Sequence, residues 1–316
     1  MSDTPSPTKP VQSEKLQKVL ARAGYGSRRE LEEWITAGRV KVNNQVAKLG
    51  DRVAETDRIS VDGDPVRQTR LTERRSRVLI YHKPVGEVCT RSDPEGRDTI
   101  FNHLPKLTSG RWITIGRLDL NTSGLLLITT DGDLANRMMH PSHQVEREYA
   151  VRVLGEVTAE ILNNLKTGVE LEDGPAHFDM IASVGGDGAN SWYHVVLREG
   201  RNREVRRLWE SQGIQVSRLM RVRYGLVSLP RGQKPGRWED LSEQEVDTLR
   251  RSVGLPPKAV VSGRRGDARS DARRDTKSGS SRGDTGSRRF SARGEAKKPA
   301  DKRQSRTPRR PVKTRR

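Results

Sequence analysis

The run ITIGRLDLNTSGLLLITTDGDLANRMMH, residues 113–140, is the most informative stretch for the fold. Ile113, Ile115 and Leu118 lead into it, and the continuous apolar run 125–128 is typical of a strand buried on both faces. Polar groups in such an apolar context need hydrogen-bond partners if they are enclosed. The polar residues between the two apolar parts are Arg117, Asp119, Asn121, Thr122 and Ser123.

The aspartates of this run have different expected roles. Asp131 and Gly132 are typical of a turn, and Asp133 suits the N-cap of a helix with the sequence LANRMMH. By spacing alone, Asp119 is more often a loop or capping carboxylate than a nucleophile. The residues themselves therefore mark position 119 only as a polar group between apolar segments.

Around this run, apolar segments alternate irregularly with helical ones. The predicted strands are VLIYHKP, LLLITT, EYAVRVLG, WYHVVLREG and GLVSLP, and the predicted helices are LANRMMH, AEILNNLK, EVRRLWESQG and SEQEVDTLRRSVG. The last helix begins with a capping box, Ser242 to Glu245. Because no regular βαβ repeat is present, the pattern predicts an α+β domain over residues 75–255 with a mixed, largely antiparallel sheet.

A smaller module precedes this domain, over residues 13–72. The apolar spacing in SEKLQKVLARAG predicts one helix, and a capping box from Ser27 to Glu30 starts a second, which Gly38 ends. Short strands in RVKVNN and DRVAETDRISVDG follow, with Asp-Gly turn chemistry. Basic residues lie at both ends of the second helix: Arg28 and Arg29 are at its N-terminal end, and Arg39 and Lys41 follow its C-terminal end.

The charge of the chain is concentrated near one end. The 316 residues carry a formal charge of +19, and 20 basic against 6 acidic residues lie between Val261 and Arg316. A segment this polar cannot bury enough apolar surface to fold, so residues 257–316 are predicted to be a disordered tail, and residues 1–12 a disordered N-terminus. A basic tail is either a solubilising extension or an arm that binds polyanions.

Several classes of protein are excluded at this point. No apolar run approaches the roughly 18 residues of a membrane span, and the N-terminus lacks the apolar core of a signal peptide. The single cysteine, Cys89, excludes an internal disulfide framework, and we expect it to be buried and inert. The six histidines form no metal-binding pattern, and no phosphate-binding loop occurs. We therefore expect a cytoplasmic protein that needs no cofactor and no metal.

The N-terminal module resembles the S4 RNA-binding domain. The order of helix, glycine, basic strand and Asn43 in GSRRELEEWITAGRVKVNNQ carries the resemblance. It implies that Arg28, Arg29, Arg39 and Lys41 contact RNA, whereas charge runs in general more often form a solvated face.

The larger domain resembles the pseudouridine synthases that carry an N-terminal S4 domain. GRLDLNTSGLLLITTDG resembles their catalytic motif, and YHKPVGEVCTRSDPEGR, EREYAVRV and LREGRNREVRRLWE resemble their companion motifs in the expected order. The two resemblances together span nearly all of residues 13–255. The resemblance implies an isomerase that cleaves the glycosidic bond of a uridine, turns the uracil and rejoins it through carbon.

The resemblance also implies roles for single residues. It makes Asp119 the catalytic carboxylate, Arg206 the cation that keeps it ionised, and Tyr149 the aromatic residue that stacks on the flipped uracil. Without it, Tyr149 would be interpreted as a core residue of a strand and Arg206 as a surface arginine. Arg117 and Leu219 correspond to residues that contact the RNA and the base. Lys83, in YHKP, is an RNA contact or an ordinary exposed lysine.

The implied partner is ribosomal RNA, either the 23S RNA of the large subunit or a ribosome-assembly intermediate that contains it. We expect a monomer with no membrane association. Three alternatives stay open: the same chemistry on another ribosomal uridine, a non-catalytic RNA-binding or ribosome-assembly factor, and a metal-dependent nucleic-acid hydrolase using Asp119 with Asp131 or Asp133. The chemical mechanism also stays open: Asp119 could attack the ribose, attack the base or assist an elimination.

Overall fold

The computed structural model describes residues 13–71, 75–187 and 189–258. The predicted N-terminal segment, and the predicted tail apart from residues 257 and 258, lie outside these residues. The α-helices are α1 Leu16–Arg22, α2 Arg28–Thr36, α3 Gln68–Leu71, α4 Gly132–Met139, α5 Ala159–Thr167, α6 Glu204–Glu210 and α7 Glu243–Ser252, with short 3-10 helices at Ile100–Asn102 and Pro141–His143. Among the described residues, none of the helices could span a lipid bilayer.

The strands fall into a small N-terminal group and a larger second group. The first contains β1 Glu14–Lys15, β2 Val40–Val42, β3 Gln45–Val46, β4 Arg52–Val53, β5 Ile59–Val61 and β6 Asp64–Pro65. The second contains β7 Val78–Lys83, β8 Ile113–Ile115, β9 Ser123–Thr129, β10 Arg147–Leu154, β11 Val169–Leu171, β12 Gly174–Ala176, β13 Met180–Asp187, β14 Asn190–Leu197, β15 Gln215–Tyr224, β16 Val227–Ser228 and β17 Trp238–Asp240.

The N-terminal unit packs two helices against a four-stranded sheet of order β3-β2-β5-β6. The predicted capping box of α2 is confirmed: the Ser27 hydroxyl accepts from the Glu30 N–H at 3.1 Å, and the Glu30 carboxylate accepts from the Ser27 N–H at 3.1 Å. Leu31 and Ile35 of α2 are buried in one apolar cluster with Leu16 and Leu20 of α1. The helical spacing of these apolar residues therefore builds the core of the unit.

A nine-stranded sheet forms the second part of the chain. Its order is β13-β14-β10-β15-β9-β7-β17, with β16 on β15 and β8 on β9. Strands β15 and β9 run parallel, and the other pairings described for this sheet are antiparallel. Helices α4 and α7 pack on one apolar cluster of the sheet, and α5 and α6 on another. The predicted α+β class with a mixed, largely antiparallel sheet is confirmed.

The longest strand, β15, is absent from the predicted strands because arginines interrupt its apolar pattern. Two of these arginines, Arg221 and Arg223, are buried or half-buried in the sheet. Strands β15 and β9 meet at only two paired positions, one of them between Arg221 and Gly124. A Cβ at position 124 would come within 2.2 Å of the Arg221 carbonyl oxygen, and Gly124 has a φ of +103°. Glycine is therefore required for this parallel contact.

The predicted N-cap at Asp133 is wrong: Asp131 caps α4. The Asp131 carboxylate accepts from the N–H groups of Asp133 at 3.0 Å and Leu134 at 3.2 Å, and the helix begins at Gly132. This buried carboxylate also accepts from the Ser76 hydroxyl and pairs with Arg250. Spacing alone could not distinguish the two aspartates, because only tertiary packing brings Arg250 to Asp131.

Replacement of Asp131 by Asn should destabilise the fold by roughly 3–5 kcal/mol, since it leaves the buried Arg250 without its anion. Burial raises the pKa of the Asp131 carboxyl, but Lys258, Ser76 and Arg250 together hold it below its ordinary value of 3.8. The contribution is therefore present above that value and is lost as pH falls through the lower folded pKa. Denaturant unfolding of both proteins across pH 2–7 measures it; a stability gap that does not narrow in acid would contradict this account.

Candidate active site

Asp119 lies in the loop between β8 and β9, and the backbone of this loop is held on every side. The carbonyl of Asp119 accepts from the Thr122 N–H at 3.0 Å, which closes a turn. The carbonyl of Leu120 accepts from the Gly86 N–H at 2.9 Å. The Asp119 side chain is half-buried, and among the described residues its carboxylate has no hydrogen-bond or ion-pair partner. The loop is fixed while its carboxylate stays available to a bound molecule.

Lys83, at the end of β7, is a principal anchor of this loop. Its ammonium donates to the carbonyls of Asp119 at 3.1 Å, Thr122 at 3.0 Å and Pro84 at 2.9 Å. Its side chain has no exposed surface, and this burial lowers the pKa of the Lys83 ammonium. Three acceptors match the three N–H donors of an ammonium, so the buried charge is fully hydrogen-bonded.

The interpretation of Lys83 as an ordinary exposed lysine is therefore wrong, because its side chain has no exposed surface. In this structure its ammonium contacts backbone carbonyls, and an RNA contact of Lys83 stays a prediction. Lysine is usually buried only when it is paired, and YHKP alone shows no partner for it. The three carbonyl acceptors come from the neighbouring residue and from a loop about 40 positions away, which only the fold brings together.

Arg206 holds the same loop from the other side. This buried side chain of α6 donates through Nη2 to the Asn121 carbonyl at 2.9 Å and through Nη1 to the Val216 carbonyl at 3.0 Å. No ion pair between Arg206 and Asp119 is among the contacts of the described residues. Burial lowers the pKa of Arg206, with Arg203 acting in the same direction and Asp119 against it. Its charge therefore acts on Asp119 through space, while its direct contacts are to the backbone.

Tyr149 and Leu219 lie on the neighbouring central strands of the sheet. Tyr149 of β10 is half-buried, pairs with Arg221 of β15, and packs against the apolar cluster that contains Leu118, the residue before Asp119. Leu219 of β15 is buried in the cluster that Tyr149 also contacts, and its carbonyl accepts from the Ser123 hydroxyl at 3.4 Å. An aromatic ring and an apolar surface thus border the loop of Asp119.

Two further residues flank the loop. Arg117 is exposed and has no hydrogen-bond or ion-pair partner among the described residues, so its guanidinium can contact a ligand. Cys89, expected to be buried, is only half-buried, and its sulfur lies 3.4 Å from the Leu118 carbonyl oxygen. Burial nevertheless raises the pKa of the Cys89 thiol, which makes it less reactive.

The basic residues of the N-terminal unit differ in their surroundings. Arg28, Arg29 and Lys41 are exposed and have no ion-pair partner among the described residues. Arg39 instead forms two hydrogen bonds with Asp62, at 2.8 and 2.6 Å, and lies 4.3 Å from the centre of the Trp34 ring. Its charge is already balanced, so the other three are the better candidates for contacts with an anionic ligand.

Arg221 was missed as a residue of this region. It is buried, its Nε donates to the Leu125 carbonyl at 2.8 Å, and it lies opposite Tyr149 in the sheet. The alternation of arginines with apolar residues in SRLMRVRY is a usable signal, because arginine in an apolar context is rarely buried without a specific partner. Arg221 ties β15 to β9 directly after the loop of Asp119.

One group in the described part of the chain has the side chains for a metal ion: Glu87, Asp98 and His103, whose ligand atoms lie within 4.8 Å of one another. Protein contacts account for these side chains. Glu87 accepts from the Tyr81 hydroxyl at 2.7 Å, and His103 lies 2.7 Å from Asp98. This group therefore does not support a role for a metal ion in the chemistry at the loop of Asp119.

Comparison with known proteins agrees with this architecture. The model of the S4 domain matches residues 14–59, and that of the RNA pseudouridylate synthases matches residues 77–211. The chain belongs to the RNA pseudouridylate synthase family and is a pseudouridine synthase, an isomerase that acts on RNA.

Individual relatives show which members of the family the chain is similar to. The chain is 60% identical to "Ribosomal large subunit pseudouridine synthase B" of Pseudomonas aeruginosa, over 82% of this chain and 68% of that protein. It is also 60% identical to the protein of the same name from Escherichia coli K12, over 78% of this chain and 85% of that one. A crystal structure of a pseudouridylate synthase aligns with a TM-score of 0.52 and 26% identity, covering 74% of this chain and 99% of the other.

Proposed function

We propose that this enzyme converts a specific uridine in the 23S RNA of the large ribosomal subunit into pseudouridine, with Asp119 as its catalytic residue. The observation that carries the proposal is the loop of Asp119, whose backbone is anchored by Lys83 and Arg206 while its carboxylate is unpaired among the described residues. The names of the 60% identical relatives support the large subunit as the source of the RNA.

The reaction first requires that the uridine leave its base stack. Unstacking costs a few kcal/mol, which contacts in the protein must offset. Tyr149 stacks on the extruded uracil, Leu219 gives it an apolar surface, and Arg117 contacts the RNA next to it. These roles agree with a half-buried ring, a buried leucine and an exposed arginine around one loop.

The chemical step exchanges a bond to nitrogen for a bond to carbon. The bond between N1 and the ribose C1′ breaks, the uracil turns, and C5 bonds to C1′; C5 then loses its proton and N1 gains one. Asp119 supplies the carboxylate for this exchange, and Arg206 holds the loop that carries it through the Asn121 carbonyl. Atoms and electrons balance within the substrate, so the reaction consumes no cofactor.

The surrounding RNA is held by the S4 domain, through Arg28, Arg29 and Lys41. Arg39, which is paired with Asp62, contributes less. The enzyme acts as a monomer in the cytoplasm, on ribosomal RNA or on an assembly intermediate that contains it. The basic segment after residue 258 adds affinity for RNA that does not depend on sequence.

Pseudouridine mapping of ribosomal RNA tests the proposal directly. Cells without the gene should lack one pseudouridine in 23S RNA and keep those in 16S RNA, and the wild-type gene should restore the missing one. A gene encoding Asp119→Asn is the matched control and should not restore it. If 23S RNA is unchanged and a 16S position is lost, the proposed substrate is wrong although the chemistry stands.

A further inference from the structure

The N-terminal unit is docked on the catalytic domain by close contacts. A Cβ at Gly24 would lie 2.7 Å from the Gly110 carbonyl oxygen, so the two backbones touch. The Arg111 guanidinium donates to the Gly26 carbonyl at 2.7 Å, and the Lys18 ammonium pairs with Asp133 at 2.9 Å. These contacts give the two parts one defined arrangement in this structure.

The docking encloses a cavity of about 190 Å³, here called the junction cleft. Arg22 and Arg70 line it from the N-terminal unit, and the catalytic side adds four more basic residues. Among the described residues, no acidic side chain lines it. The remaining lining residues are Arg75, Arg77, Lys106, Leu107, Thr108, Ser109, Gly110, Thr130 and Lys258.

Only some of the basic residues that line the junction cleft form ion pairs with acidic residues outside it. Arg75 and Arg77 pair with Glu243 and Asp240, respectively. Arg70 and Lys106 are exposed, and neither forms an ion pair with a described residue, although Arg70 lies 5.8 Å from the Tyr25 ring centre. Because Arg70 belongs to the N-terminal unit and Lys106 to the catalytic domain, an anion in the junction cleft would be attracted by both parts of the chain.

The size and place of the junction cleft restrict its occupant. Its volume is below the roughly 300 Å³ of a typical small-molecule pocket, but it has room for a phosphate group and water. Thr130 lies at the cleft and Ser123 directly follows the catalytic loop. The strand β9 between them spans roughly 20 Å at about 3.3 Å per residue. The cleft is therefore a site separate from Asp119.

We propose that the junction cleft binds backbone phosphates of the substrate RNA, at a distance from the target uridine, and so engages both parts of the enzyme with one RNA. The inference rests on the proposed function, since it takes the RNA of that reaction as its ligand. Arg70 and Lys106 are the principal contacts. A small cationic cavity fits the phosphates of a polynucleotide backbone better than it fits a free nucleotide.

The test compares Arg70→Gln/Lys106→Gln with the wild-type protein on two RNAs: a full 23S transcript, and a short stem-loop that keeps the modified uridine. On the long RNA the double variant should bind about tenfold more weakly near 0.1 M salt. The slope of log affinity against log salt should fall by about two, one unit for each lost phosphate contact. On the stem-loop the slope should not change.

Lys48→Gln/Lys166→Gln removes two exposed cations elsewhere and is the matched control. Equal losses in this control, or equal losses of the double variant on both RNAs, would overturn the proposal. A third result would also overturn the proposal: inorganic phosphate raises the melting temperature of the wild type but not of the double variant, while the two proteins bind RNA equally well. That result would mark the junction cleft as a site for small anions. The binding slopes do not depend on pseudouridine mapping, so failure of the proposed function is seen separately.

Discussion

Asp119→Asn should lower the rate of pseudouridine formation by roughly 10³-fold or more, because the amide has the same shape but neither the charge nor the basicity of the carboxylate. The carboxylate has no partner among the described residues, so the substitution leaves no other group unpaired and the melting temperature should stay the same. Single-turnover release of tritium from C5-labelled uridine in a 23S transcript measures the rate, and filter binding measures affinity for the RNA.

Affinity of Asp119→Asn for the RNA should remain within about twofold, since phosphate and base contacts supply most of the binding. Asp64→Asn, an exposed aspartate of the N-terminal unit, is the control for loss of one carboxylate and should retain full activity. A rate for Asp119→Asn within tenfold of wild type would remove Asp119 from the chemistry. A large loss of affinity would instead assign it to binding.

Lys83→Met should have the second largest effect, on both stability and rate. Methionine has nearly the same length without the ammonium, so the carbonyls of Asp119, Thr122 and Pro84 lose a buried donor. Each unsatisfied buried acceptor costs about 1–3 kcal/mol. A shift of the loop by about 1 Å can cost roughly 10²-fold in rate. We therefore expect kcat to fall by roughly 10²-fold, with little change in KM for the RNA.

Urea unfolding and steady-state kinetics separate these effects, with kinetics measured at a temperature where the variant is folded. Lys166→Met, at an exposed position of α5, is the matched control and should change neither quantity. If Lys83→Met raises KM and leaves kcat unchanged, Lys83 contacts the RNA in a state that this structure does not have. If neither changes, the anchoring of the loop by Lys83 is not needed for catalysis.

Local structure was largely predictable from sequence because its causes are local. The capping boxes at Ser27 and Ser242 form as predicted, since a hydroxyl and a carboxylate three positions apart satisfy each other's N–H groups. The buried run that became β9 was identified by its continuous apolar character. The strand β15 was missed because Arg221 is buried there through contacts with residues distant in sequence.

In the candidate site, too, some features were predictable from sequence and others were not. Motif resemblance selected Asp119, Tyr149 and Arg206, and the structure brings the strand of Tyr149 and the guanidinium of Arg206 to the loop of Asp119. The contact of Arg206 with the Asn121 carbonyl was not foreseen. A side-chain motif indicates which residue types a family uses, but carries no information on backbone acceptors.

Residue patterns predict a polar loop between apolar segments at 113–140 and the α+β class, and the motifs indicate the family. Packing of residues distant in sequence buries Lys83 beneath that loop, makes Asp131 rather than Asp133 the cap of α4, and brings basic residues from both parts of the chain to the junction cleft. The reason is physical: helix caps and apolar runs depend on neighbours within a few positions. The environment of a charge depends on groups distant in the sequence: Arg250, which pairs with Asp131, lies 119 positions away from it.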